Sequence, residues 1–168
     1  MDTFLAIASK RDQRQYADRE IPEDVVERIV QAGRITGSAQ NRQPWRFVVL
    51  ESPEARRQVA RTVYAPGNVE GAKVAIAIVV RGNPGFDSGR CAQNMMLAAW
   101  NEGVTSCPNG MPDAGATSAA LGLGDDERVI NVLSFGYPAD GRTGADRPPD
   151  AWLARAKRKP LDELVERR

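Results

Sequence analysis

Hydrophobic and polar positions change rhythm several times along the chain, and each change marks an element. Val25, Val26, Ile29 and Val30 recur at helical spacing between Ile21 and Arg34. Pro22 near the first turn, with Glu23 and Asp24 beside it, suits a helix start, and Gly33 and Gly37 bracket the end. Between Asp87 and Glu102, Cys91, Met95, Ala98 and Ala99 share one helical face, widened by Met96 and Leu97, and Gly103 is a natural cap. This predicts the main core helix, with Met95 and Met96 as core filling. Shorter helices are expected at Thr3 to Ser9, from Pro53 through EARRQVART, and around Ala114 to Leu121.

Unbroken apolar runs predict strands. Lys73 to Arg81 (KVAIAIVVR) has no polar face, so it belongs at the centre of a sheet with helices on both sides. Arg46 to Leu50 and Arg128 to Phe135 are two further strands. The polar segments SAQNRQPW and TSCPNGMPDAG are loops in this reading. Three strands with four or more helices indicate an α+β or α/β domain, and the absence of repeats predicts one domain over 1–168. After Pro138 the chain is rich in Pro, Gly and Arg. Trp152, Leu153, Leu161, Leu164 and Val165 predict that part of this tail packs, with a partner subunit as one surface for it.

Charge narrows the picture. The 168 residues carry 23 Lys and Arg against 22 Asp and Glu, so no global field favours nucleic acid or a membrane. There is no histidine. A Ser-His-Asp or Cys-His pair, a zinc site with histidine ligands and a histidine proton relay are therefore excluded, and any catalysis points to a bound cofactor. Neither Cys91 nor Cys107 sits in a setting that demands a bridge, and no secretory pattern or bilayer-length apolar run is present; free thiols and a cytoplasmic location are expected. No GxxxxGK[ST] loop occurs, and Gly122-Leu-Gly124 lacks the third glycine and the preceding strand of a dinucleotide fingerprint. Asp125, Asp126 and Glu127 read as a capping or solvated turn.

Two clusters carry candidate chemistry. Lys10, Arg11 and Arg14 surround Asp12, and guanidinium forks match phosphate oxygens; Lys157, Arg158 and Lys159 offer a second basic group, and either cluster read alone fits a solvated surface as well. Ser38 to Trp45 is rich in amides. Asn41 and Gln43 can address the edge of a flat heteroaromatic ring, with Pro44 and Trp45 anchoring the loop, although such loops are often plain turns.

The order KRDQRQY, SAQNRQPWRFVVL, DSGRCAQNMMLAAWNEGV, VLSFGYP and RKPLDEL resembles the FMN-dependent nitroreductase family over essentially the whole chain, with NxQPW its sharpest element. The resemblance implies an α+β fold whose central mixed or antiparallel sheet is flanked by helices. It also implies a homodimer with FMN at the subunit interface and the C-terminal tail packed on the partner. The implied activity is transfer of reducing equivalents from NADH or NADPH through FMN to a nitroaromatic, quinone or related small-molecule acceptor. By the same resemblance Lys10, Arg11, Arg14 and Arg158 face the FMN phosphate, Ser38, Asn41 and Gln43 approach the flavin and its ribityl chain, and Ser106 to Gly110, with Asn109 and Gly110, pass beside the ring. No metal, nucleic acid or membrane is implied.

This chain departs from the pattern in places. The N-terminal motif usually reads RRSxRxF, and Asp12 stands at the serine. A carboxylate there repels a phosphate unless it pairs with Lys10, Arg11 or Arg14, and that pairing weakens the grip. Gly37 replaces the usual proline before Ser38, the Tyr64–Lys73 region is short, and Pro108 removes a backbone donor beside the ring. Specialised flavin chemistry, such as reductive dehalogenation or oxygen-dependent flavin breakdown, and a scaffold without FMN are the alternative readings.

Overall fold

A computed structural model describes residues 1–142 and 144–168. Its centre is a four-stranded sheet built from β1 (Trp45–Leu50), β2 (Val74–Arg81), β3 (Thr105–Asn109) and β4 (Glu127–Gly136) in the order β1-β2-β4-β3. All three ladders are antiparallel, and Ile130 is the extra residue of a bulge on β4. The helices are α1 (Thr3–Ser9), α2 (Glu23–Arg34), α3 (Pro53–Ala60), α4 (Pro66–Glu70), α5 (Gly85–Asn101), α6 (Ala114–Ala120) and α7 (Pro149–Arg155).

The expected central strand is β2, buried from Val74 to Val80. Its alternation sorts two cores. Ile76, Ile78 and Val80 face α2 and α5 with Ile29, Cys91, Met95 and Phe135, whereas Ala75 and Ala77 face Val59, Ala60, Val63 and Val69 of the α3–α4 side. Met95 and Met96 are buried in the first core, as their spacing predicts. Each fully buried large side chain contributes about 1.5–3 kcal/mol, so this two-sided burial holds the sheet rigid. Gly33 lies inside α2 rather than past its end. A Cβ there would stand 2.7 Å from the Phe47 ring and 2.9 Å from Met95 Sδ, so glycine is what lets α2 approach the sheet and α5 closely.

The sheet has four strands where the apolar runs predict three. Thr105 to Asn109, expected as a loop, is the edge strand β3, paired with β4 from Thr105↔Gly136 to Asn109↔Val132. Its run TSCPN lacks large hydrophobes and contains Pro108, which suits an edge where one side of the ladder needs no donor. The short middle region forms α4. In the tail, α7 packs on α1 of its own chain, where Trp152 Nε1 donates to the Gly144 carbonyl (3.2 Å), while Leu161, Leu164 and Val165 stay exposed. Among the described residues no helix is long and apolar enough to cross a membrane.

Candidate functional site

The basic N-terminal motif is placed by the end of α1. Asp2 caps that helix by accepting from Phe4 N (2.9 Å) and Leu5 N (3.1 Å), and the backbone turns extended at Lys10. The following residues are laced into the sheet. Asp12 forms a parallel bridge with Ser106 of β3, Gln13 N donates to Ser106 O (3.2 Å), and Tyr16 bridges Pro138. Residues some ninety positions apart in sequence are thereby brought together.

The cations of this corner differ in what they have left to offer. Lys10 is nearly buried, its side chain 8% exposed; Nζ donates to the Asp12 carboxylate and lies 3.5 Å from Met96 Sδ. Arg11 directs NH1 to the carbonyls of Ala8 and Lys10, both at 2.8 Å, with its guanidinium 5.0 Å from the Trp152 ring. Arg14 is exposed and lines a groove of about 300 Å³ with Gln13, Gln15, Ala139 and Asp140.

Tyr16, next along the chain from Gln15, opens a largely buried polar network. Tyr16 Oη lies 2.8 Å from Ser134 Oγ, and Ser134 Oγ donates to Cys107 O (3.2 Å). Asn109 Nδ2 spends itself on Cys107 O (3.0 Å), Val132 O (2.9 Å) and Ser134 Oγ (3.1 Å). Burial pushes the Tyr16 phenol up to about 12 and raises the Cys107 thiol, against which the nearby Arg14 acts in the opposite direction. Cys91 and Cys107 are both buried free thiols. Ser106 Oγ and Asn109 Oδ1 are buried without a hydrogen-bond partner among the described residues. Gly110, next along, is exposed, and its carbonyl accepts from Tyr64 N (3.0 Å).

The amide loop is a separate corner. Ser38 Oγ accepts from Gln43 N (2.8 Å), and Ala39 N donates to Asp87 Oδ2 (2.8 Å), which pins the loop to α5. Among the described residues four non-glycine positions have positive φ, and Gln40 (55°), Asn41 (54°) and Gln43 (47°) are three of them. Such backbone costs of order 1–3 kcal/mol per residue and persists where surrounding contacts enforce it. The loop thus turns the Asn41 and Gln43 amides to solvent.

Beside the loop, a groove of about 370 Å³ is lined by Gln43, Trp45, Arg46, Arg81 and Glu127 among others. Glu127 accepts both Arg46 Nε (2.8 Å) and NH2 (2.7 Å), and this guanidinium holds its carboxyl down at about 2. Glu127 is therefore a structural ion-pair partner, whereas the sequence places it in a capping turn. Strands β1 and β4 are not neighbours: β2 lies between them, and the long Arg46 side chain reaches across it.

The two corners are diagonal on the sheet. Trp45 stands opposite Val80, and Val80 opposite Arg128, at one end of the outer strand β1; Ser106 stands opposite Phe135 at the other end of the opposite outer strand β3. Three strand spacings across and seven residues along separate them by roughly 25 Å. One protomer therefore brings Lys10, Arg11, Arg14, Asn109 and Gly110 together, and Ser38, Asn41 and Gln43 together, but not the two groups. Arg158 joins neither; its exposed guanidinium donates to Ala156 O (2.8 Å) within the tail.

Known proteins share this fold and its sequence pattern. The Nitroreductase family pattern matches residues 7–81 and 81–137. A protein of Methanothermobacter thermautotrophicus, provisionally named an NADH dehydrogenase/NAD(P)H nitroreductase, is 31% identical over 151 residues, 83% of this chain and 79% of its own length. The fold superposes on a provisionally named nitroreductase from Desulfovibrio desulfuricans, solved in complex with FMN. The TM-score is 0.82 at 25% identity, covering 100% of this chain and 98% of that one. A nitroreductase family protein of Clostridium difficile gives a TM-score of 0.82 at 22% identity, over 99% and 98% of the two chains. With the family pattern spanning most of the chain and the fold matching end to end, this protein belongs to the nitroreductase family.

Proposed function

We propose that the protein is an FMN-dependent oxidoreductase that works as a homodimer, taking reducing equivalents from NADH or NADPH and passing them to a nitroaromatic, quinone or related acceptor. The observation that carries this reading is the Asp12–Ser106 bridge, which sets the basic motif against the Ser106–Gly110 segment. A phosphate beside exposed Arg14 and a ring beside Gly110 then fit one elongated ligand. When bound, FMN would supply the hydride-accepting and hydride-donating centre.

The chain's own residues bind and orient. Arg14 and the free donors of Arg11 hold the phosphate. The Tyr16–Ser134–Asn109 network braces the β3 backbone, so Asn109, its amide buried, acts through its strand rather than by a direct contact. Ser38, Asn41 and Gln43 are too far away to serve the same ligand from the same protomer. Their counterparts on a second copy complete the site, which is why the dimer is part of the proposal. Exposed Phe86, Ile35 and the tail residues Leu161, Leu164 and Val165 supply apolar surface for that association. With no histidine, solvent provides the proton, and the protein contributes proximity.

The test is a visible spectrum of the purified protein, before and after addition of FMN, then anaerobic addition of NADH or NADPH. A flavin band that bleaches on reduction is expected. Protein that stays colourless and takes up no added FMN sinks the proposal.

A further inference from the structure

The phosphate corner carries an acid where the motif usually has a serine, and the structure shows what that acid does. Asp12 takes the Lys10 ammonium for itself, and Lys10, nearly buried against Met96 Sδ, has no freedom to turn outward while that pair stands. The remaining cations of the N-terminal motif are Arg14 and Arg11, and Arg11 already spends NH1 on two carbonyls. A second carboxylate, Asp140, lines the same groove as Arg14, although it also pairs with Arg142 (3.3 Å). The Asp12 side chain is 43% exposed, so its charge is open to solvent, one residue before Gln13 and Arg14, which line that groove.

We propose that Asp12 lowers the affinity of this corner for phosphate and makes FMN an exchangeable ligand rather than a permanently held one. The inference rests on the functional reading above and adds how the ligand is held. Two unit charges about 6 Å apart near a protein surface interact strongly enough to change a binding equilibrium about tenfold or more. Removing Asp12 takes away a like charge and releases Lys10 as a third cation, so both effects act in one direction.

The experiment is titration of the flavin-stripped, full-length protein with FMN and, separately, with riboflavin, for the wild type, Asp12→Ser and Asp12→Asn. Flavin fluorescence reports the dissociation constant, and dilution of loaded protein reports the release rate. Both variants are expected to bind FMN at least about tenfold more tightly and to release it more slowly, with riboflavin affinity unchanged because it lacks the phosphate. Melting temperature is followed in parallel to confirm that each variant folds. Unchanged or weaker FMN binding by both folded variants overturns the proposal, as does equal tightening for riboflavin. If no protein binds either flavin, the functional reading falls with it; if all bind FMN alike, only the role of Asp12 falls.

Discussion

The two corners of the sheet hold their functional groups in opposite ways. At the basic corner the backbone is locked from beneath: Asp12 and Tyr16 bridge two strands or their extensions, and Tyr16, Ser134 and Asn109 interlock out of water. Its side-chain charges are largely consumed, Lys10 by Asp12 and half of Arg11 by carbonyls. At the amide corner the backbone is the strained part, with three left-handed residues pinned by Ser38 and Asp87, while the Asn41 and Gln43 side chains are exposed, Gln43 Nε2 donating to the Asn41 carbonyl (3.4 Å). One corner invests its polar groups in rigidity and leaves few for a ligand. The other stores strain and keeps its amides available. A ligand much shorter than the roughly 25 Å between the corners cannot reach both within one chain.

The largest effects are expected from variants that disable one corner each. Arg14→Ala should weaken FMN binding by roughly ten- to a hundredfold, the loss of a charge-assisted contact of about 1.5–3 kcal/mol. Asn41→Ala combined with Gln43→Ala should weaken it independently. If the corners meet only across two copies, unfolding and refolding a mixture of the two variants yields mixed dimers with one intact site each. Flavin fluorescence should then show a tight-binding fraction that neither variant has alone. A mixture that binds as the average of its parents would mean that each site is built within one chain.

A second, smaller contrast concerns stability. A Cβ on Gly136 would stand 2.6 Å from Tyr16 Cδ1 and 2.8 Å from its Cβ, so Gly136→Ala must push Tyr16 off the strand. The expected cost is about 1–3 kcal/mol in denaturant unfolding, with FMN affinity falling alongside. Gln43→Ala, on an exposed side chain, should change stability by no more than about 0.5 kcal/mol while still weakening the flavin. Equal stability losses at the two corners would contradict the difference between a braced site and a presented one.

The smallest expected effect lies beside the amide loop. Arg46 holds the folded-state Glu127 carboxyl at about 2, below its usual value of 4.5, so the unfolded chain takes up that proton first as pH falls. The ion pair's stabilisation is therefore complete above pH 4.5 and is lost as pH drops toward 2. Melting curves of Glu127→Gln should lie below the wild type at neutral pH and converge with it at the acid end. Parallel curves would show that the pair contributes nothing through titration.

How much of this was legible beforehand follows from what each residue pattern encodes. The apolar run of β2, the helical face of α5 and the α1 boundaries are local periodicities, and they appear where expected. The β3 strand was not legible, because its burial comes from neighbours and its sequence, TSCPN, has the composition of a turn. The basic and amide clusters stand out as residue types. The spending of Lys10 on Asp12 follows as one of the pairings open to that carboxylate, but the brace under Asn109 does not, since Val132 and Ser134 lie more than twenty residues away.

The sequence alone excluded histidine-based chemistry, and its motif order identifies the family. It also determined the sheet's central strand, since a run apolar on both faces has to be covered on both. Only the tertiary structure decided which charges are spent and which remain, because hydrogen bonds and ion pairs depend on distances that local pattern does not carry. It alone set the two corners on opposite edges of the sheet, because strand order is a property of pairing.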